Sequence, residues 1–255
     1  MRRPQLWLDH GPRPGWQNMA IDATLLDRAG RDGDFVLRLY RWQPFCLSFG
    51  RHEPASRRYD RARIEARGLD VVRRPTGGRA VWHARELTYA VAAPLEQFGG
   101  LRAAYLQIHA RLADAVRRLG ATARLADDVR TPGVDAGACF ASPAGGEVMV
   151  GDGKLVGSAQ VRAGGGLLQH GAFLLEDDQA LVDHVTRGAA APARAVPLSA
   201  VLGRRVPFEE AADAVRAAAG AWREDWDPLT DPDSIVAEAA VHAERFLDPE
   251  WTWGR

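Results

Sequence analysis

Apolar positions along this chain repeat with two periods, near 3.6 and near 2, and the switches between them predict its elements. Ile21, Leu25 and Leu26 share one face of a helix over 19–28, behind Asn18, a residue type that caps helix starts. Strands are predicted over 35–40 and 45–49, parted by a turn at Gln43 and Pro44. An arginine-rich helix over 59–67, closed by Gly68, leads into a strand over 69–73, a glycine loop and a strand over 87–92. The longest amphipathic stripe, Leu101, Tyr105, Ile108, Leu112, Val116 and Leu119, predicts a helix over 101–119. Strands recur over 147–150 and 154–162, flanking an Asp-Gly turn at Gly151, Asp152 and Gly153, and over 167–175 behind Gly164, Gly165 and Gly166. Alternation in the second arm of that hairpin puts Lys154, Val156, Ser158 and Gln160 on one face. Helices over 208–222 and 233–246, with proline-containing joins, finish the chain.

No repeat and no long linker interrupts these elements. They read as a single α/β (α+β) domain over 1–255, a largely antiparallel mixed sheet flanked by helices, with a helical C-terminal segment from about 205 to 255. Hydrophobic residues at 46% and charged residues at 26% suit a soluble globular protein with a sizeable core. A net charge of zero gives no global field to recruit nucleic acid or a membrane. Two cysteines, Cys46 and Cys139, make no disulfide framework, and no cysteine–histidine spacing suggests a metal. Cys46, among Phe45, Leu47 and Phe49, reads as a buried small hydrophobe. The N-terminus lacks an apolar stretch long enough for a secretory signal, and no run is long enough to span a membrane, so a cytoplasmic location is expected.

Charge is less even locally. Nine arginines against four acids lie between Arg51 and Arg79. Arg57, Arg58, Arg61, Arg63 and Arg67 read as a solvated helix face or, more sharply, as a docking surface for an acidic protein. Of 33 basic residues only Lys154 is a lysine, and it stands in a glycine-framed segment. Arginine stays charged at any physiological pH, whereas a desolvated lysine can release its proton, so the one retained amine is a candidate for chemistry. The second candidate is the glycine loop after the 69–73 strand. There Gly77 and Gly78 let the backbone come close to a ligand, and Arg73, Arg74 and Arg79 favour an anionic or polarised group.

Four motifs in order carry a family resemblance: Arg73 to His83, Glu86 to Tyr89, Gly153 to Gln160, and Leu168 to Gly171, with Asn18 to Asp22 and Asp248 to Trp251 as outlying signatures. Over nearly its whole length the chain resembles the lipoate and octanoate protein transferases, which share the biotin/lipoate protein ligase catalytic fold. The stretch Gly137 to Ser142 around Cys139 resembles the cysteine loop of the octanoyltransferase (LipM-like) branch, which ligases generally lack. The resemblance implies an acyltransferase of lipoate biosynthesis and protein lipoylation. It would take octanoyl from octanoyl-acyl carrier protein, hold it as a thioester, and pass it to a lysine of a lipoyl domain or the glycine cleavage H protein. No cofactor is implied. The alternatives are an ATP-dependent lipoate-protein ligase, in which Cys139 would be incidental, a lipoyl amidotransferase, and a non-catalytic binder of acylated or lipoyl domains.

Cys139 and Lys154 are the implied catalytic pair, because a thiol attacks only as thiolate and a neighbouring ammonium favours that form. Arg73, Arg74, Gly77, Gly78, Arg79, His83, Gly157, Ser158, Ala159, His170, Gly171 and Ala172 are the implied substrate-binding residues. Backbone N–H groups near Gly77, Gly78 or Gly157 to Ala159 would receive the oxyanion. Gly157, Ala159, Gly171 and Ala172 would leave room for the acyl chain. His83 and His170 would hydrogen-bond the thioester region, shape the pocket, or serve only the fold.

Overall fold

The computed structural model describes residues 3–127, 145–176, 179–188, 195–220, 222 and 226–254. Within them the chain runs β1 (Gln5–Leu8), α1 (Gly15–Arg31), β2 (Val36–Tyr40), β3 (Cys46–Phe49), α2 (Ala55–Arg58), α3 (Arg61–Ala66), β4 (Asp70–Arg73), β5 (Val81–His83) and β6 (Glu86–Pro94). It continues through α4 (Leu101–Arg118), β7 (Arg124–Leu125), β8 (Val148–Val150), β9 (Gly153–Lys154), β10 (Val156–Ala163) and β11 (Gly166–Leu174). It ends with α5 (Ala180–Val185), α6 (Leu198–Leu202), α7 (Phe208–Gly220), β12 (Asp227–Pro228), α8 (Pro232–Glu238), α9 (Ala240–Leu247) and α10 (Pro249–Trp253).

Six strands form the main sheet in the order β10-β11-β6-β2-β1-β12. The first four pair antiparallel, and β1 adds parallel to β2 and to β12. Two three-stranded sheets accompany it, β4-β3-β5 and β7-β8-β9. One face of the main sheet, with Leu39, Leu87, Tyr89, Val91 and Phe173, buries against α4 and α7. The other face, with Val36, Tyr40, Ala90, Ala92 and Leu168, buries against α1, α8 and α9. Period-two alternation in β6 and β11 feeds both layers, which is why these strands are buried along nearly their whole length.

Several predicted boundaries shift for local reasons. Helix α1 begins at Gly15, whose N–H donates to Asp70 Oδ2 at 2.9 Å, so Asn18 lies inside the helix. The Asn18 side chain is drawn into a buried network, accepting from Arg38 Nη2 at 2.7 Å. The predicted helix over 59–67 shortens to α3, because Tyr59 forms a β-bridge with Thr186, and the separate turn α2 precedes it. The helix predicted over 233–246 breaks at Ala239 into α8 and α9. The hairpin after Val150 is present, but its second arm changes sheet at Leu155. Lys154 pairs with Met149 in the small sheet, while Val156 onward pairs with β11 in the large one.

Candidate active site

A narrow pocket with a cavity volume of about 20 Å3 opens where β5, β10 and β11 meet α1 beside Arg74. Met19, Tyr40, Trp42, Val81 and Ala172 give it apolar walls, and Gly157, Ser158 and Ala159 also line it. The register places Ser158 beside Gly171, and Gly171 beside Tyr89. A Cβ on Gly171 would collide with the Gly157 carbonyl and lie 2.7 Å from Ser158 Oγ. Glycine there lets the Tyr89 hydroxyl reach across the strand to Ser158 Oγ at 2.6 Å. In the loop, a Cβ on Gly50 would overlap the Gly78 carbonyl, and Gly78 sits at φ 91°, so both close contacts require glycine.

Two histidines line the pocket, each gripped at both ring nitrogens. His83 Nδ1 lies 2.7 Å from Glu86 Oε1 and its Nε2 2.6 Å from Ser48 Oγ. Its ring stacks on Trp42 with centroids 4.1 Å apart. His170 Nδ1 lies 2.8 Å from Asp22 Oδ2 and its Nε2 2.7 Å from Thr76 Oγ1. A carboxylate only accepts, so in each neutral ring the Nδ1 proton points to the acid and Nε2 accepts from the hydroxyl. Burial lowers the His170 pKa, opposed by Asp22. With both nitrogens committed, these rings shape the pocket and leave no N–H for a substrate. Arg74 is similarly engaged: its guanidinium donates to Ser48 and to the carbonyls of Gly77 and Arg79.

Behind Ser158 lies a buried polar cluster on the side where α4 packs. His109 Nδ1 is 2.7 Å from the Gly146 carbonyl oxygen, so it carries the proton, and Nε2 accepts from Ser158 Oγ at 2.8 Å. Ser158 having donated, Tyr89 must donate to it, and Gln169 donates to Tyr89 at 2.9 Å. Burial, the largest influence, brings the His109 pKa down to about 4, opposed by the Gly146 carbonyl and reinforced by Lys154. Lys154 itself is 2% exposed, and its Nζ donates to Glu147 Oε1 at 2.6 Å.

The description "Lipoyl protein ligase A/B catalytic domain" matches residues 14–220. The chain belongs to this family. Octanoyltransferase LipM of Exiguobacterium sibiricum is 36% identical, with 93% of this chain and 94% of that protein covered. Octanoyltransferase LipM of Symbiobacterium thermophilum is 38% identical over 82% of this chain and 83% of that protein. A crystal structure of lipoate-protein ligase A bound with ATP superposes with a TM-score of 0.80 at 21% identity, covering 99% of each chain. The Thermoplasma acidophilum protein Ta0514, with bound lipoic acid, gives 0.80 at 20% identity, covering 99% of this chain and 100% of that one. These solved structures share the fold, a mixed sheet flanked by helices, as the sequence motifs imply.

Of the residues that the family motifs point to, Arg74, His83, Gly157, Ser158, Ala159, His170, Gly171 and Ala172 all line the pocket. Arg73, Gly77, Gly78, Arg79 and the predicted catalytic Lys154 are not among its lining residues. Arg73 turns the other way: its buried guanidinium donates to the carbonyls of Gly50, Glu53, Trp251 and Thr252, fastening α10 to the loop after β3. In this structure its donors are taken up by those backbone carbonyls. Arg79 is 8% exposed, and its Nη1 meets no hydrogen-bonding partner among the described residues. Cys139 and the rest of Gly137 to Ser142 lie outside the described residues. Cys46 is fully buried, and burial followed by Asp70 pushes its thiol pKa up.

Sequence reasoning missed Glu147, His109 and the acids behind the pocket histidines. His109 had a usable signal, since it stands four residues after Tyr105 beside the apolar stripe of α4, where a polar residue is buried and needs partners. Asp22 and Glu86 stood inside quoted motifs, but their partners come from distant strands or from a turn.

Proposed function

We propose that this protein is an octanoyltransferase of lipoate biosynthesis. It takes an octanoyl group from acyl carrier protein, holds it as a thioester on Cys139, and transfers it to a lysine of a lipoyl domain or of the glycine cleavage H protein. The observation that carries this reading is the end-to-end similarity to octanoyltransferases LipM. The small residues of β10 and β11 and the apolar walls beside them are of a kind that suits an alkyl chain, and burying a methylene contributes about 0.8 kcal/mol. Lys154, paired with Glu147, would serve the proton transfers of both half-reactions, and no cofactor is needed.

Incubating the protein with octanoyl-acyl carrier protein, without ATP, should add one octanoyl mass on Cys139, and Cys139→Ser should abolish it. Transfer that demands ATP, with no adduct, would replace this reading by that of a ligase. On the surface, Arg57, Arg61, Arg63 and Arg67 are exposed, while Arg58 is drawn toward Glu53 at 3.4 Å. Charge reversal at the exposed four should raise the KM for the acidic carrier with little change in kcat.

A further inference from the structure

Beside the pocket lies a wider cleft, with a cavity volume of about 550 Å3, and Trp42 lines both. The segment before β3, the start of β6, the end of β11 and the start of α7 supply its other residues. Its rim is apolar and open. Phe45, at 46% one of three exposed large hydrophobic side chains among the described residues, stands there with the exposed prolines Pro12 and Pro207.

The polar groups of this cleft lack partners in a specific way. Four buried side-chain atoms meet no hydrogen-bonding partner among the described residues, and two of them, Arg41 Nε and Glu86 Oε2, belong to residues that line this one cleft. One is a donor and the other an acceptor. Glu86 is 3% exposed and commits its other oxygen to His83 and Thr88, so the carboxylate is held in place while Oε2 has nothing to accept from. Orphaned buried groups destabilise the free protein, and a ligand that supplies the missing atoms is bound the better for it.

Charge narrows the choice of ligand. Arg41 lies 3.7 Å from Glu209, and Arg85 and Arg205 lie 3.6 and 3.1 Å from Glu176, so three arginines face three glutamates once Glu86 is counted. A balanced cleft exerts no pull on an acidic helix. What it matches is an extended stretch of polypeptide, which offers an N–H and a C=O from each residue and apolar side chains for the rim. Its size falls within the range of about 300–1,000 Å3 typical of clefts that enclose a ligand.

We propose that this cleft seats the lysine-bearing segment of the acceptor domain, whose backbone donates to Glu86 Oε2 and accepts from Arg41 Nε while an apolar side chain packs on Phe45. This rests only on the proposed transfer to a protein lysine, which a ligase would share. Two observations favour the acceptor over the acyl carrier. The acidic carrier suits the exposed arginines of α2 and α3, and the cleft adjoins the pocket through Trp42, whose ring stacks on His83. A short segment buries little area, so the complex is transient, as an acceptor that must leave requires.

Titrating the 15N-labelled, unacylated protein with an unmodified lipoyl domain tests the docking without any chemistry. Amide signals of Phe45, Ala84 and Arg85 should shift, and those of Arg61 and Arg63 should stay. In kinetics, Phe45→Ala and Arg41→Met should each raise the KM for the lipoyl domain about tenfold, with acylation by octanoyl-acyl carrier protein within about twofold of wild type. Both side chains reach the surface, 46% and 37% exposed, so the two variants should fold. Shifts confined to other surfaces, a KM that does not move, or a KM that rises for the carrier instead overturns the acceptor cleft. Shifts at the cleft in a protein that forms no acyl-enzyme uphold the cleft and overturn the transferase reading.

Discussion

His170 donates through Nδ1 to Asp22 Oδ2 at 2.8 Å, which ties the wall of the pocket in β11 to the helix that covers it. Asp22 is fully buried and also accepts from Arg38 Nη1 at 3.0 Å and from the Tyr40 hydroxyl at 2.9 Å. Arg38, with no exposed surface, takes its second carboxylate from Asp9 and lies 3.9 Å from the Tyr40 ring centroid. Three elements, α1, β2 and β11, therefore meet at one carboxylate, and Asp22→Asn removes half of the countercharge of a buried guanidinium. Breaking such a pair costs about 3 kcal/mol or more. Urea unfolding should register that loss, and a change below about 1 kcal/mol would contradict the assigned network.

The lowered pKa of His109 has a sign that unfolding can check. An imidazole near 6.5 when unfolded and about 4 when folded binds more protons in the unfolded chain between those values. Stability from this group is thus full above about pH 6.5 and declines as pH falls toward about 4, by roughly 3 kcal/mol in total. His109→Gln, which keeps a donor and an acceptor, should flatten this acid slope. Denaturation curves at about pH 4.5 and about pH 7.5 decide it, and an unchanged slope in the variant would assign the acid sensitivity elsewhere.

Chain-length selectivity should reside in the small residues of β10 and β11. Ala172 is 1% exposed and lines the pocket, so Ala172→Leu fills space that an acyl chain would take. Each methylene denied burial removes about 0.8 kcal/mol, which predicts roughly tenfold weaker kcat/KM for octanoyl donors once two methylenes are displaced. Butanoyl donors should be nearly unaffected. Equal losses for both lengths would place the chain in another cavity.

Arg73 and Arg74 are neighbours in sequence with opposite duties, which a KM-against-stability comparison separates. Arg73→Gln strips donors from carbonyls of the loop after β3 and of α10. It should lower stability by about 2–4 kcal/mol while the KM of the remaining folded protein stays near wild type. A raised KM at full stability would restore Arg73 to the substrate site.

Local sequence determined much of this protein. The apolar stripe of α4, the alternation in β6 and β11 and the Asp-Gly turn before Lys154 all became elements close to where their periods placed them, because each pattern matches one backbone geometry. Motif residues on β10 and β11 line the pocket because the strand register sets Gly157, Ser158 and Ala159 opposite Ala172, Gly171 and His170. Tertiary structure alone decided the rest. That Lys154 meets Glu147, that His109 accepts from the Ser158 hydroxyl, and that Arg73 faces α10 while Arg74 lines the pocket follow from approaches between separate elements. A buried charge or hydroxyl needs a partner, but sequence does not say from which element that partner will come.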